Sequence, residues 1–318
     1  MTTLNQPDSI PTVLDPEALP ERPATLWGLV RRRFFRRKSA LVGLGILGLL
    51  IFVAIFAPVL APYGPEQVLI GVEDIRKRQG PCIHLFGCPQ DQPQHLMGVD
   101  GNVRDQFSRM LYGSRFSLII GFTTVTFAIL VGATLGGLAG FLGGWFDDVV
   151  MRMMDVLLAF PSLLLAIAIV AVLGPGLINA LLAIGIVSIP AYARVVRASV
   201  LVVKEMDYVS ASRALGAAPL RLLFNRILPN ALTPLIVQGT LGIATAILDA
   251  AALSFLGLGA QPPTPEWGSM LGSERNQVFT APHLVFFPGL AIMLTVLAFN
   301  LLGDGLRDAL DPRLAHVS

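Results

Sequence analysis

Charge is what this sequence has least of. Of its 318 residues only 14% are Asp, Glu, Lys or Arg, while 54% are hydrophobic, and the mean hydropathy is +0.68. A soluble domain carries about a quarter charged residues, so a soluble globular fold does not fit. Lysine is scarcer still. Lys38, Lys77 and Lys204 are the only three, and none stands in a G-x-x-x-x-G-K-[ST] phosphate loop, so the chain is not expected to hydrolyse ATP. No HEXXH, Ser-His-Asp order or credible carboxylate pair marks catalysis, and neither a metal nor a cofactor is expected in this chain. A net charge of +2 without a basic-aromatic stripe argues against a nucleic-acid partner.

What remains between the sparse charges is long apolar sequence. Windows at about 40–62, 116–142, 150–173, 177–200, 231–258 and 284–303 each reach the ~20 residues that cross a bilayer core. The expectation is an all-α polytopic membrane protein with six transmembrane helices. The first window starts too far in and runs too long for a cleaved signal peptide. Residues 1 to about 26, rich in Pro, Asp, Glu and Thr, read as a mobile tail. "RRRFFRRKS" then places six cations just before the first span, which favours a cytoplasmic N-terminus. With six spans the C-terminus and the segment 201–230 are cytoplasmic too. Arg194, Arg197, Lys204, Arg213, Arg221 and Arg226 around that segment agree. The domains expected are a cytoplasmic tail and basic flank (1–39), a first span (40–62), an extracytoplasmic loop (63–115) and a five-helix core (116–318).

Packing signals are present inside the spans. Gly132, Gly136, Gly140 and Gly144 recur every four residues, making a bare ridge on which another helix can approach closely. Pro161, Pro190 and Pro288 should kink or loosen three others. Asp249 lies inside the fifth window, where it either lines a translocation path or pairs with a polar group on a neighbouring helix. Asp155 is expected at the interface. In the outer loop, Cys82 and Cys88 fit a small disulfide-closed ring, with metal binding alongside His84 and His95 the less favoured alternative.

One stretch interrupts the oily sequence: "SASRALGAAPLRLLFNRILPN", Ser210 to Asn230. Asp207 is placed to cap a short helix, Gly216 to close it, and Pro219 to open the next. Leu220, Leu223, Phe224 and Ile227 then fall on one apolar face, and Pro229 ends the unit. Such a helix-turn-helix suits either an amphipathic segment lying on the inner leaflet or a knob docking into a soluble partner.

The residues resemble a known family. Permeases of ATP-binding-cassette importers carry a cytoplasmic loop of the form Glu-Ala-Ala, three residues, Gly, nine residues, Ile-x-Leu-Pro. Here Ser210, Ala211 and Ser212 occupy the first positions, Gly216 the glycine, and Leu228-Pro229 the closing pair, with Arg226 replacing the Ile. The departures follow the peptide and nickel branch, whose loop reads like "DYVxAARALGA…ILPNALxPLIV". "HLMGVDGNVRDQFSRMLYGSRFSL" resembles the entry to the second span of dipeptide-permease C subunits. Gly98, Asp100, Arg104, Asp105, Ser108, Arg109, Gly113, Arg115 and Ser117 match, while Val99 and Val103 replace Thr and Gly. "DVLLAFPSLLLAI" and "AALSFLGLGAQPPTPEWGSML" are two more such stretches.

The chain is thus similar to DppC/OppC-type permeases of the dipeptide/oligopeptide/nickel family. That resemblance implies a type I importer permease fold, with the 63–115 loop inserted between helices 1 and 2, in the inner membrane of a prokaryote. It also implies a DppB/OppB-type sister permease, two ATP-binding subunits that hold ATP and Mg, and an extracytoplasmic substrate-binding protein. Asp207, Ser210, Ala211, Ser212, Arg213, Gly216, Leu220, Arg221, Phe224, Leu228 and Pro229 would form the ATPase-coupling segment, with Leu220 and Phe224 as anchors. Di- or oligopeptides, glutathione and nickel chelates are all cargo of that family. Outside it, an ion-coupled carrier or channel is the alternative, but buried acids across several spans and inverted broken helices are not evident.

Overall fold

The computed structural model describes residues 26–310. The N-terminal tail expected over 1–26, and the final residues 311–318, lie essentially outside them. Among the described residues the regular elements are helical, and strand-type pairing is confined to three isolated bridges in the loop between the first two long helices. A short basic helix α1 (Leu26–Arg36) meets α2 (Lys38–Leu60) at Arg37, whose backbone is extended. There follow α3 (Gln106–Leu142), α4 (Gly144–Leu158), α5 (Ser162–Leu173), α6 (Leu177–Val203), the short α7 (Asp207–Ala214), α8 (Pro219–Leu222) and α9 (Leu228–Ala231), then α10 (Thr233–Phe255), α11 (Trp267–Glu274) and α12 (His283–Leu310).

Five helices, α2, α3, α6, α10 and α12, are long and apolar enough to cross a membrane. The expected third span, 150–173, is not one rod. It starts at Gly144 and breaks between α4 and α5 with a bend of 92°, so the count reaches six only if that pair is one span. The cause is Pro161, which lacks an amide donor and pushes Phe160 out of the helical region. Pro190 and Pro288, by contrast, sit inside uninterrupted helices.

The second span also differs from its expected start at 116. α3 begins ten residues earlier because the Asp105 side chain accepts from the Ser108 amide at 2.7 Å and caps it. At 1.5 Å per residue its 37 residues span about 55 Å, well beyond a ~30 Å hydrocarbon core. Its first turns therefore stand outside the apolar layer, where Gln106, Ser108 and Arg109 are buried with bonds to the loop at Gly98, Tyr63 and Pro65 rather than exposed.

The centre of the bundle is the parallel pair α3 and α6. A Cβ added at Gly136 would overlap the Ala193 carbonyl, and at Gly132 and Gly140 it would lie 2.9 Å from the carbonyl oxygens of Ile189 and Arg197. Three of the four ridge glycines thus carry the backbone contact. Gly144 lies past the end of α3, with open space around it and a φ of +56°. α10 packs antiparallel on α3, and α2 on α12, so the chain has two distinct ends. Loop 61–105 and α11 cap one end. α1, the C-terminal end of α12 and the α7–α9 segment occupy the other.

Candidate functional site

At the second end the chain leaves α6 at Val203 and turns into α7. Asp207 is the first helical residue there, not the cap. Met206 takes the cap position in an extended conformation, without a side-chain bond to the helix. Gly216 adopts a φ of +83°, a left-handed conformation that costs a side-chain-bearing residue about 1–2 kcal/mol. Its amide and that of Ala217 close back on the carbonyls of Arg213 and Ser212 at 3.0 and 3.2 Å. Pro219 opens α8, where a missing donor is harmless.

The next turn departs from the expected pattern twice. Pro229 does not end the unit: it opens α9. Because its ring crowds the carbonyl one turn back, residues Leu223–Ile227 widen into a π-helical turn. The four apolar residues are also split. Leu223 and Ile227 are buried together with Leu222, and Val209 of α7 is buried as well, while Leu220 and Phe224 stay 59% and 48% exposed. Leu215, at the turn, is 89% exposed. Tyr208 and Asn230 tie the two arms together: Asn230 donates to Tyr208 Oη at 3.1 Å and to the Arg226 carbonyl at 2.7 Å. The result is a braced knob with three large apolar side chains outward. Asp207, Ser210, Ala211, Arg213, Arg221 and Pro229 are exposed around it, and Ser212 and Leu228 are half-buried. A groove of about 590 Å³ runs alongside, lined by Ser212, Leu215, Arg221, Asn225 and Arg226.

Behind the knob, α6 is fastened to α4 and α3. Arg197 donates to both oxygens of Asp147 at 2.5 and 2.6 Å, Arg194 reaches Asp155 at 2.5 Å, and Lys204 donates to the Gly140 carbonyl at 3.1 Å. The Arg197–Asp147 pairing was not anticipated. Opposite charges recurring at the same end of two adjacent spans were the signal for it.

The other end is a polar cap. His95, almost fully buried, sits between two carboxylates: Nδ1 lies 2.7 Å from Asp105 and Nε2 3.1 Å from Glu73. Burial alone would lower the His95 pKa, but its bonds to Asp105 and Glu73 prevail and raise it. Tyr63 stacks on the imidazole and donates to Glu73 at 2.9 Å. Burial first, then Glu73, push that phenol up to about 12. Asp105 thus caps α3 and holds the histidine at once.

Cys82 pairs with His95 through two backbone bonds and forms a disulfide with Cys88. His84 Nε2 lies 2.8 Å from the Gln92 carbonyl while both ring nitrogens of His95 are taken by Asp105 and Glu73, and no group of three or more His, Cys, Asp or Glu that could hold a metal occurs among the described residues. Glu274 joins cap to α11, accepting from Arg78 at 2.8 Å and from the Gly101 amide at 3.0 Å. Glu266, fully buried, caps α11 by accepting from the amides of Gly268 and Ser269 at 2.9 and 2.8 Å. Asp249 is half-buried in α10, and no hydrogen bond or ion pair to it is present among the described residues.

Five or six candidate spans with a braced knob at one end and a polar cap at the other are the architecture of a polytopic membrane protein. Comparison with known proteins gives its family. Residues 128–316 match the model of the binding-protein-dependent transport system inner membrane component, and residues 25–81 match the N-terminal TM domain of oligopeptide transport permease C. The chain belongs to this family of ABC importer permeases. It is 49% identical to the di/tripeptide transport system permease protein DppC of Pseudomonas aeruginosa over 314 residues, 99% of this chain and 98% of that one. It is 48% identical to the glutathione transport system permease protein GsiD of Pectobacterium atrosepticum over 291 residues, 91% of this chain and 92% of that one. Among solved structures, the MetNI methionine ABC transporter in an inward-facing conformation shares the fold. Its TM-score is 0.52 at 20% identity, covering 63% of this chain and 96% of the other.

Proposed function

We propose that this chain is one of two related permease subunits of an ATP-driven importer of short peptides, and that residues 207–229 couple it to the ATPases. The observation that carries the coupling role is the knob itself. Leu222, Leu223 and Ile227 anchor it to the bundle, while Leu215, Leu220 and Phe224 are left uncovered among the described residues. Exposed apolar groups on a rigid base are what an interface centre requires. The knob is covalently continuous with α6, which is ion-paired to α4, so a pull on it moves the 92° bend of the α4–α5 pair. Each ATPase state must grip the knob differently, since only differential contact shifts an equilibrium.

In this proposal ATP and Mg are held by two partner subunits, and the chain itself is not an enzyme. A DppB/OppB-type sister completes the path, and a substrate-binding protein delivers cargo to the cap. The chain sits in the inner membrane with both termini cytoplasmic and the 61–105 loop outside. Asp249, which pairs with nothing among the described residues, lines that path in this proposal. Di- and tripeptides are the cargo suggested by the DppC relatives. Glutathione, itself a tripeptide, is the second choice, on the strength of the GsiD relative. The test is gentle purification of the tagged chain from its native membrane. Two ATPases, a second permease and a binding protein should accompany it, whose ligand is then screened with peptides and glutathione. A chain that emerges alone, under conditions that preserve known complexes, overturns the assignment.

A further inference from the structure

The densest positive charge in the molecule lies where α1 meets α2. Arg31, Arg32, Arg33, Arg36, Arg37 and Lys38 fall within eight consecutive residues. Arg31, Arg32, Arg36, Arg37 and Lys38 are exposed. Among the described residues the acid that reaches them is Asp308 of α12, 3.5 Å from Arg37; on the same helix Asp304 is exposed and Arg307 adds a further cation. Among the described residues no other carboxylate pairs with the set.

Placement follows from covalent geometry. Lys38 is the first residue of a span that buries one face against the bundle and exposes apolar side chains along the other from Leu41 to Leu60, so the cations stand at the bilayer surface whichever way the chain is inserted. The extended backbone at Arg37 turns α1 away from the α2 axis, so the basic helix does not simply prolong the span. Phe34 packs at Gly305 of α12, which fixes the helix against the bundle, while Phe35 remains 51% exposed among the arginines. Exposed guanidinium groups around an aromatic ring, at the level of the headgroups, match a phosphodiester surface in charge and in geometry.

We propose that α1 and the first residue of α2 form a binding site for the headgroups of anionic phospholipids. The site is separate from the coupling segment and does not depend on the role given to it. Guanidinium forks of Arg31, Arg32 and Arg36 take phosphate oxygens, and Phe35 enters the headgroup boundary. Clustering four to eight cations beside a span gives roughly fivefold in affinity per charge near an anionic surface.

The test uses the complete transporter reconstituted in phosphatidylcholine vesicles with traces of spin-labelled phosphatidylglycerol or spin-labelled phosphatidylcholine. The wild type should immobilise the phosphatidylglycerol label preferentially, and 0.5 M salt should weaken that preference. R31Q/R32Q/R36Q removes three such charges, on the order of a hundredfold in affinity at fivefold each, and should abolish the preference of the site, while R31K/R32K/R36K should retain most of it. Equal preference in the wild type and the glutamine variant, each verified as inserted and folded, overturns the site. So does unchanged preference with loss of the ATPases from the glutamine variant, which would make α1 a protein contact.

Discussion

Replacing Gly136 by alanine adds one methyl group at the centre of the bundle. At that position the new Cβ would lie 2.8 Å from Ala193 Cα and would overlap the Ala193 carbonyl, where ordinary contact begins at 3.4 Å. These neighbours are backbone atoms of α6, so no side chain can swing aside. The helices must part by at least ~0.6 Å, the difference between 3.4 and 2.8 Å. Overpacking of this kind costs about 1–3 kcal/mol, more than the ~1 kcal/mol that alanine contributes over glycine in a helix. Gly45 supplies the control, since a Cβ there meets nothing within 4 Å. Thermal unfolding of the purified protein in one detergent should therefore show G136A melting below the wild type and G45A at or above it. G136A melting level with G45A would refute the close α3–α6 contact.

Three further outcomes are expected. Gly216→Val forces a branched residue into φ +83°, at a cost of about 1–2 kcal/mol confined to the knob. Peptide uptake should fall while membrane insertion, measured by protease accessibility, is normal; unchanged uptake would count against the coupling role. L220A/F224A removes two exposed anchors and should weaken capture of the ATPase subunits by about 2–4 kcal/mol, read as subunit retention on a gel-filtration column. Retention equal to the wild type would show that the knob docks elsewhere. The third outcome concerns pH. The raised pKa of His95 means that the folded cap favours the imidazolium more than an unfolded chain does. Its contribution is fully present below pH 6.5, the ordinary histidine value, and is lost as pH rises through the raised one. Hydrogen exchange in residues 61–105, corrected for intrinsic rates, should accelerate across that window, and H95Q should abolish the step. A wild-type profile without the step would disprove the linkage.

The spans were legible because hydrocarbon demands continuous apolar sequence, and little else in a 318-residue chain looks like that. The start of α3 was not. Gln106, Ser108 and Arg109 look like loop residues in composition, yet they are buried in a polar cap that composition does not reveal. The break at Pro161 was signalled, but its size of 92° was not, since proline ends a helix without setting the angle at which the next one leaves. In the knob, Gly216 and Pro219 were readable because backbone rules act locally. The π turn at Leu223–Ile227 and the division of the apolar face were not, since helical periodicity assumes a regular turn. Glu266 escaped notice although "PTPEWGS" has an acid where a helix cap belongs. For Asp249 the sequence left lining a translocation path and pairing with a neighbouring helix both open, and among the described residues it has no side-chain partner.

The most direct test of the coupling assignment is a photo-reactive amino acid at position 224, in the assembled transporter in its membrane. Phe224 points away from the bundle on a braced knob. Illumination should link this chain to an ATPase subunit, with a yield that changes when ATP is bound. Linkage to lipid or to the sister permease alone, in every nucleotide state, would contradict it.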